Sequence, residues 1–233
     1  SSVCIGSTAH KLFADDVRLS TSFNIDDSNC NSLQQSLDLL SSWAHSWQLD
    51  INIGKCCVLP IHSKSCSTNS HKYFINGLLL TQSTSVSDLG VIVDSRLSFN
   101  QHISNILTKA SQRTGAFFRG FASRHLALTK QVFVSYIRPL LEFNSNIWNP
   151  TKKYLIDKLE NVQRRFTKRI PSISHLPYKD RLLALALEPL ELRRLHSDII
   201  QYFNTMNNLT AIQPDNVFTL HYPPTFLRNL NNY

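Results

Sequence analysis

At 233 residues, 42% of them hydrophobic and 10% aromatic, the chain falls in the globular class and can bury roughly 70–75% of its unfolded surface. Six glycines and nine prolines exclude a fibrous or loop-dominated protein, and no run of 18 apolar residues is present to cross a membrane. The net charge of +8 is uneven: residues 1–100 carry 6 Lys/Arg against 8 Asp/Glu, whereas residues 101–233 carry 18 against 8. That asymmetry directs the C-terminal part toward a polyanion such as a phosphate backbone, a solvated basic surface being the plain alternative.

The opening residues show neither the charged start nor the apolar core of a secretion signal, and no initiator methionine. A fragment kept inside the cell, nuclear or cytoplasmic, is expected. Five cysteines at irregular spacing read as free thiols in a reducing compartment. A zinc site built from Cys57, His62, Cys66 and His71 is the weaker alternative, because no C-x-x-C knuckle is present.

In chain order, KLFADDVRLS (11–20) places Leu12-Phe13 and Val17/Leu19 around a polar turn, which predicts a β-hairpin with Ala14-Asp15 at its tip. Leu33, Leu37, Leu40, Ala44 and Trp47 recur at helical spacing and predict a helix over about 28–49, capped by Asp27 or Ser28. KCCVLPI (55–61) predicts a short strand. Asn76-Gly77 between apolar runs predicts a second hairpin, since a type I′ turn needs positive φ at both central residues. DLGVIVD (88–94) predicts a further strand.

From Ser98 the period becomes helical, and Ser98 to Gln101 fits a capping box. Phe99, Ile103, Ile106, Ala110 and Phe117 mark one helix. A second is expected over about 127–138, bent or ended near Pro139. A third spans about 151–170 on the stripe Leu155, Leu159, Val162, Phe166 and Ile170. Shorter helices fall near 178–187 and 190–206, Pro189 opening the last. Trp43, Trp47, Trp148, Phe117 and Phe118 read as core. The fold class is therefore α+β: residues 1–97 form a small, mostly antiparallel sheet with one packed helix, residues 98–212 a helical bundle, and residues 213–233 a loose tail.

Two neighbouring carboxylates, Asp15 and Asp16, at a hairpin tip repel by about 3 kcal/mol at ~5 Å and an effective dielectric of 20. A divalent cation reverses that sign, and Mg²⁺ is typically shared between one or two carboxylates and substrate phosphates. An ordinary acidic turn is the bland alternative, and the pair alone does not decide. The ordered series FADD, SLQQSLDLLSSWAHSW, LDINIGKC, DLGVIVD, RLSFNQHI, YIRPLLEFNSNIWNP, LENVQRRFTKRI and YKDRLLALALEPLELRR resembles the C-terminal part of the reverse transcriptase of non-LTR, jockey/CR1-like retrotransposons, over about residues 11–206.

That resemblance implies a partial polymerase palm followed by a helical thumb, acting on an RNA template, a DNA primer and dNTPs. It implies two-metal nucleotidyl transfer with Mg²⁺ held by Asp15 and Asp16. It also implies that Lys55 approaches the triphosphate and that Leu89-Gly90 forms a primer-grip turn. The third catalytic aspartate of the family has no counterpart before Asp15, so the chain alone is expected to be inactive. Arg138, Lys152, Lys153, Arg164, Arg165, Lys168, Arg169, Arg193 and Arg194 are the expected contacts to a template–primer duplex. The rival readings are a non-catalytic nucleic-acid-binding remnant and a helical protein-interaction module.

Overall fold

The computed structural model describes residues 8–22, 31–61 and 71–218, which fall into two compact units, 1–99 and 100–233. The first mixes one long helix with small sheets and the second is helical, an arrangement compatible with α+β.

In the first unit, β1 (Ala9–Phe13) and β2 (Asp16–Ser20) pair antiparallel, Phe13 opposite Asp16, around the two-residue turn Ala14-Asp15. Helix α1 (Asn31–Ser46) follows; the expected caps Asp27 and Ser28 lie outside the described residues. Next come a single 3₁₀ turn, Ile53–Lys55, then β3 (Cys57–Val58), β4 (Phe74–Ile75), β5 (Leu78–Leu79), β6 (Thr81–Gln82), β7 (Ser85–Asp88) and β8 (Val91–Asp94).

These strands do not make one sheet. They form four two-stranded pieces, three antiparallel (β1–β2, β4–β5, β7–β8) and one parallel (β3–β6). The strand expected over 55–61 shrinks to two residues after the 3₁₀ turn. The one expected over DLGVIVD is a hairpin instead. Leu89 (φ 44) and Gly90 (φ 84) form its turn with the same signs as Asn76 (φ 51) and Gly77 (φ 75). Leucine rarely enters that region, so local pattern alone does not announce the turn that the resemblance implies at Leu89-Gly90.

Leu37, Tyr73, Ile75 and Leu80 form the core of this unit, with Leu19, Leu33, Ile51 and Val58 against it. Gln34 of α1 completes the edge of β4. Its Nε2 donates to the Phe74 carbonyl at 2.9 Å and its Oε1 accepts from the Phe74 amide at 2.9 Å, standing in for a neighbouring strand. Trp43 and Trp47, expected in the core, are 51% and 66% exposed. Trp43 lies on the outer side of α1, and Trp47 follows its last residue. Just before the expected capping box at Ser98–Gln101, Asp94 gathers the chain. Its carboxylate accepts from the amides of Arg96, Ser98 and Phe99 and from the Ser98 hydroxyl. Burial raises the Asp94 pKa, but these donors outweigh it and hold the carboxyl below its ordinary value.

The second unit runs α2 (Asn100–Gly120), α3 (Leu126–Val132), α4 (Arg138–Glu142), α5 (Ser145–Trp148), α6 (Lys153–Lys168), α7 (Tyr178–Leu185) and α8 (Leu190–Met206). Between α3 and α4 the chain does not stop at Pro139. One wider π turn, Phe133–Ile137, precedes it, relieving the clash of the proline ring with the carbonyl four residues back. Arg113 donates to the Tyr136 carbonyl in that turn at 2.7 Å.

The core of this unit is aromatic around Phe166, with ring centroids of Phe118 at 5.1 Å and Phe133 at 4.9 Å. Trp148 is buried and donates its indole N–H to the Phe143 carbonyl at 2.9 Å. The α6 stripe buries Leu155, Leu159, Phe166 and Ile170 as its period predicts. Of the tail expected from residue 213, Pro214–Asn216 form a 3₁₀ turn and residues 219–233 lie outside the described residues.

Candidate functional site

The acidic hairpin is built by its turn. Ala14 has φ 52 while Asp15 does not, the sign pattern of a type II′ turn, whose twist matches that of the flanking strands. Asp15 sits in the turn and Asp16 begins β2; both are exposed. So are Leu12, Phe13 and Val17, at 69%, 64% and 43%. A lone two-stranded ribbon with apolar residues in water is marginal by itself. Across the ribbon Lys11 faces Arg18, an unfavourable like-charge pair. Arg18 is compensated from elsewhere: its Nη1 donates to Asp88 Oδ2 at 2.9 Å.

Asp88 immediately precedes the Leu89-Gly90 turn, so this ion pair ties the acidic ribbon to the second of the sequence-predicted elements. Nothing local announces a pairing across 70 residues. Lys55 ends the 3₁₀ turn and is exposed, its amide donating to the Asn52 carbonyl at 3.0 Å.

The donor set around Asp15 does not amount to a metal centre. Mg²⁺ accepts near-octahedral oxygen coordination. Among the described residues it would find two neighbouring exposed carboxylates here and no group of three or more His, Cys, Asp or Glu side chains fit to hold a metal ion. Of the alternative zinc set, Cys57 is exposed, and His62 and Cys66 lie outside the described residues. Cys56 is free, and burial, then Cys57 beside it, raises its thiol pKa.

The nine expected basic contacts divide sharply. Arg164, Arg165 and Lys168 are exposed on the last two turns of α6, and Arg169 is exposed at its C-cap. The Arg164 guanidinium lies 4.8 Å from the Tyr178 ring centroid and that of Arg169 lies 4.0 Å from that of Phe118, so aromatic faces hold both in place. Lys152 and Lys153 are exposed at the other end of α6, about 24 Å away at 1.5 Å per residue. Lys153 pairs with Asp157 and Glu191.

The remaining three are engaged within the protein. Arg193 makes a two-pronged ion pair with Glu142, at 2.5 and 3.1 Å, that raises its pKa. Arg138 reaches the same Glu142 at 3.7 Å, and burial lowers its pKa. Arg194 is 1% exposed, donates Nε–H to Asn149 Oδ1 at 3.1 Å, and has its pKa lowered by burial. Residue type announces charge but not burial, and these three sit where α8 meets α4 and α5.

One basic residue was not anticipated. Arg124 lies over Phe118 at 4.9 Å, the ring that also carries Arg169, and donates to the Phe118 carbonyl at 2.6 Å. It brings a fifth cation to the place where the C-terminal ends of α2 and α6 meet, the ends that attract positive charge. The only signal in the sequence was an arginine shortly after Gly120.

Neither a protein-family model nor a solved structure matches the chain. It is 28% identical over 129 residues to an uncharacterized protein of Caenorhabditis elegans, covering 54% of this chain and 63% of that one. It is 25% identical over 170 residues to the probable RNA-directed DNA polymerase from transposon BS of Drosophila melanogaster, covering 71% of this chain and 18% of the polymerase. The RNA-directed DNA polymerase from mobile element jockey of the same fly is 24% identical over 161 residues, 68% of this chain and 17% of the polymerase. The chain thus spans under a fifth of the length of these polymerases. The resemblance read from its motifs stands: over 68–71% of its length this chain is similar to the RNA-directed DNA polymerases of Drosophila non-LTR retrotransposons.

Proposed function

We propose that the chain is a palm-end and thumb portion of a non-LTR retrotransposon reverse transcriptase, inactive as a polymerase by itself. The observation that carries this reading is the ordered similarity to the jockey and BS polymerases over 68–71% of the chain, in a structure whose FADD segment turns at Ala14-Asp15. In the longer enzyme Asp15 and Asp16 contribute carboxylates to an Mg²⁺ site completed by residues from elsewhere. Lys55 serves the triphosphate and Leu89-Gly90 the primer end. Arg164, Arg165, Lys168 and Arg169, joined by Arg124, grip the RNA–DNA duplex by its phosphates, reading shape more than sequence.

Primer extension on an RNA template with dNTPs and Mg²⁺ tests the inactivity. The purified 233-residue protein is expected to add no nucleotide. Extension that disappears in Asp15→Ala would contradict it.

A non-catalytic nucleic-acid-binding remnant is the second reading, and the two-carboxylate donor set among the described residues fits it as well as it fits the polymerase portion. Both readings keep the basic end of α6. They part at the acidic hairpin: in a polymerase portion, adding the missing upstream segment restores Asp15-dependent extension, and in a remnant it does not.

A further inference from the structure

Helix α8 is amphipathic the wrong way round for a bundle helix. Toward its own unit it turns Arg194, Ser197, Asp198 and Thr205. The Asp198 carboxylate accepts from Asn149 at 2.6 Å, Ser197 donates to Asn146 at 2.6 Å, and Arg194 and Thr205 are buried. Its apolar residues face out, with Leu192, Leu195, Ile199, Ile200, Tyr202 and Phe203 39–60% exposed. Burying polar groups while leaving large apolar ones in water reverses the usual order of transfer energies.

The outward residues have a register. Leu192, Leu195, Ile199, Tyr202 and half-buried Met206 are spaced three, four, three and four, the a/d seam of a coiled coil. Ile200 and Phe203 widen the stripe with exposed His196 between them, and Phe218 of the same chain meets Tyr202 edge-on at 5.0 Å. A seam of that period fits another helix, because each knob needs a hole between four residues of a facing helix. It carries no charged residue. The charges beside it have partners within the molecule: Glu191 pairs with Lys153, Arg193 with Glu142, and Asp198 accepts from Asn149 with the Arg194 guanidinium opposing its charge. An identical face therefore meets it without electrostatic penalty, although the chain as a whole is strongly basic.

Side chains of this size present on the order of 200 Å² each when free. At the exposures observed, the six amount to roughly 600 Å² per copy, or about 1,200 Å² between two, the lower bound of specific interfaces. We propose that the outer face of α8 pairs with the same face of a second copy of this chain, forming a two-fold symmetric helix–helix dimer.

Sedimentation velocity of the complete 233-residue protein over roughly a hundredfold range of concentration tests this. The weight-average mass is expected to rise from one chain to two. Ile199→Glu is expected to raise the midpoint concentration at least tenfold while leaving the far-ultraviolet circular dichroism unchanged, since Ile199 is 54% exposed. Leu183→Glu, on a still more exposed apolar site of α7, is expected to leave association untouched. A protein monomeric throughout the range overturns the proposal, as does a dimer indifferent to Ile199→Glu. A complete chain that stays monomeric but dimerises once residues 219–233 are removed overturns it too, since the chain's own end would then be the occupant.

Discussion

Leu89 and Asn76 occupy the same place in two hairpin turns of one unit, and the contrast between them is informative. Asn-Gly is the favoured pair for a type I′ turn, because asparagine tolerates the left-handed region that the turn demands. Leucine at φ 44 is strained by about 1 kcal/mol, and at 47% exposure its side chain gains little packing in return. Leu89→Asn is therefore expected to stabilise the protein by about 0.5–1 kcal/mol in chemical denaturation; a loss of stability would show that the leucine is held there by packing.

The same scale explains which residues could be read. Asn76-Gly77 was legible because its chemistry selects one turn, and Asp15 because FADD keeps ordered company. Leu89-Gly90 was legible only as a family motif, the glycine being compatible with a strand, a bulge or a turn. Residue type misleads at Trp43 and at Arg194 for a common reason, that it does not fix burial: Trp43 is apolar yet half exposed, and Arg194 is charged yet buried.

At the scale of elements, α6, α7 and α8 are locked by one buried carboxylate. Glu160 is 9% exposed; its Oε2 accepts the amide of Leu190, the first residue of α8, at 2.9 Å, and its Oε1 accepts from the Tyr178 hydroxyl. A carboxylate at a helix N-terminus also meets the positive end of the helix dipole. Burial, followed by Glu160, pushes the Tyr178 pKa far above its ordinary value. Gln163 adds donors to the Tyr178 oxygen at 3.1 Å and the Glu188 carbonyl at 3.0 Å. Glu160→Ala strands the Leu190 amide and the phenol together, and is expected to cost about 2–4 kcal/mol in denaturant titration. A cost under about 0.5 kcal/mol would mean that water replaces the carboxylate freely.

The helical periods predicted these elements well, because amphipathic spacing survives in any packing. Which face turns inward did not follow. For α6 the apolar stripe is buried; for α8 the apolar stripe is outside, and only three-dimensional neighbours such as Asn146 and Asn149 reveal it. The sheet escaped prediction for a related reason. Two-residue strands carry almost no period, so their grouping into four pairs, one of them parallel, was beyond local pattern.

At the scale of the whole molecule, charge asymmetry was visible in composition, but its useful part is smaller than the count of lysines and arginines suggests. Glu142 pairs with two of the nine expected contacts, and a third, Arg194, is buried. What remains near the C-terminal end of α6 is a compact group, with Arg164 and Arg169 held on aromatic rings and Arg165 and Lys168 on the exposed face between them. The distant pair Lys152 and Lys153 reaches a second point on a duplex only if that duplex runs along the helix. Among the described residues no helix is long and apolar enough to cross a membrane.

Titration of a labelled RNA–DNA hybrid with the protein across a series of salt concentrations tests the duplex-gripping role most directly. Neutralising about four phosphates predicts a log–log slope near −3 to −4. Reversing Arg165 and Lys168 to glutamate, which disturbs neither ring contact, is expected to lower affinity at least tenfold and to flatten the slope by about 2. Binding that is absent, or that ignores both salt and the double reversal, would contradict that role for this half of the chain.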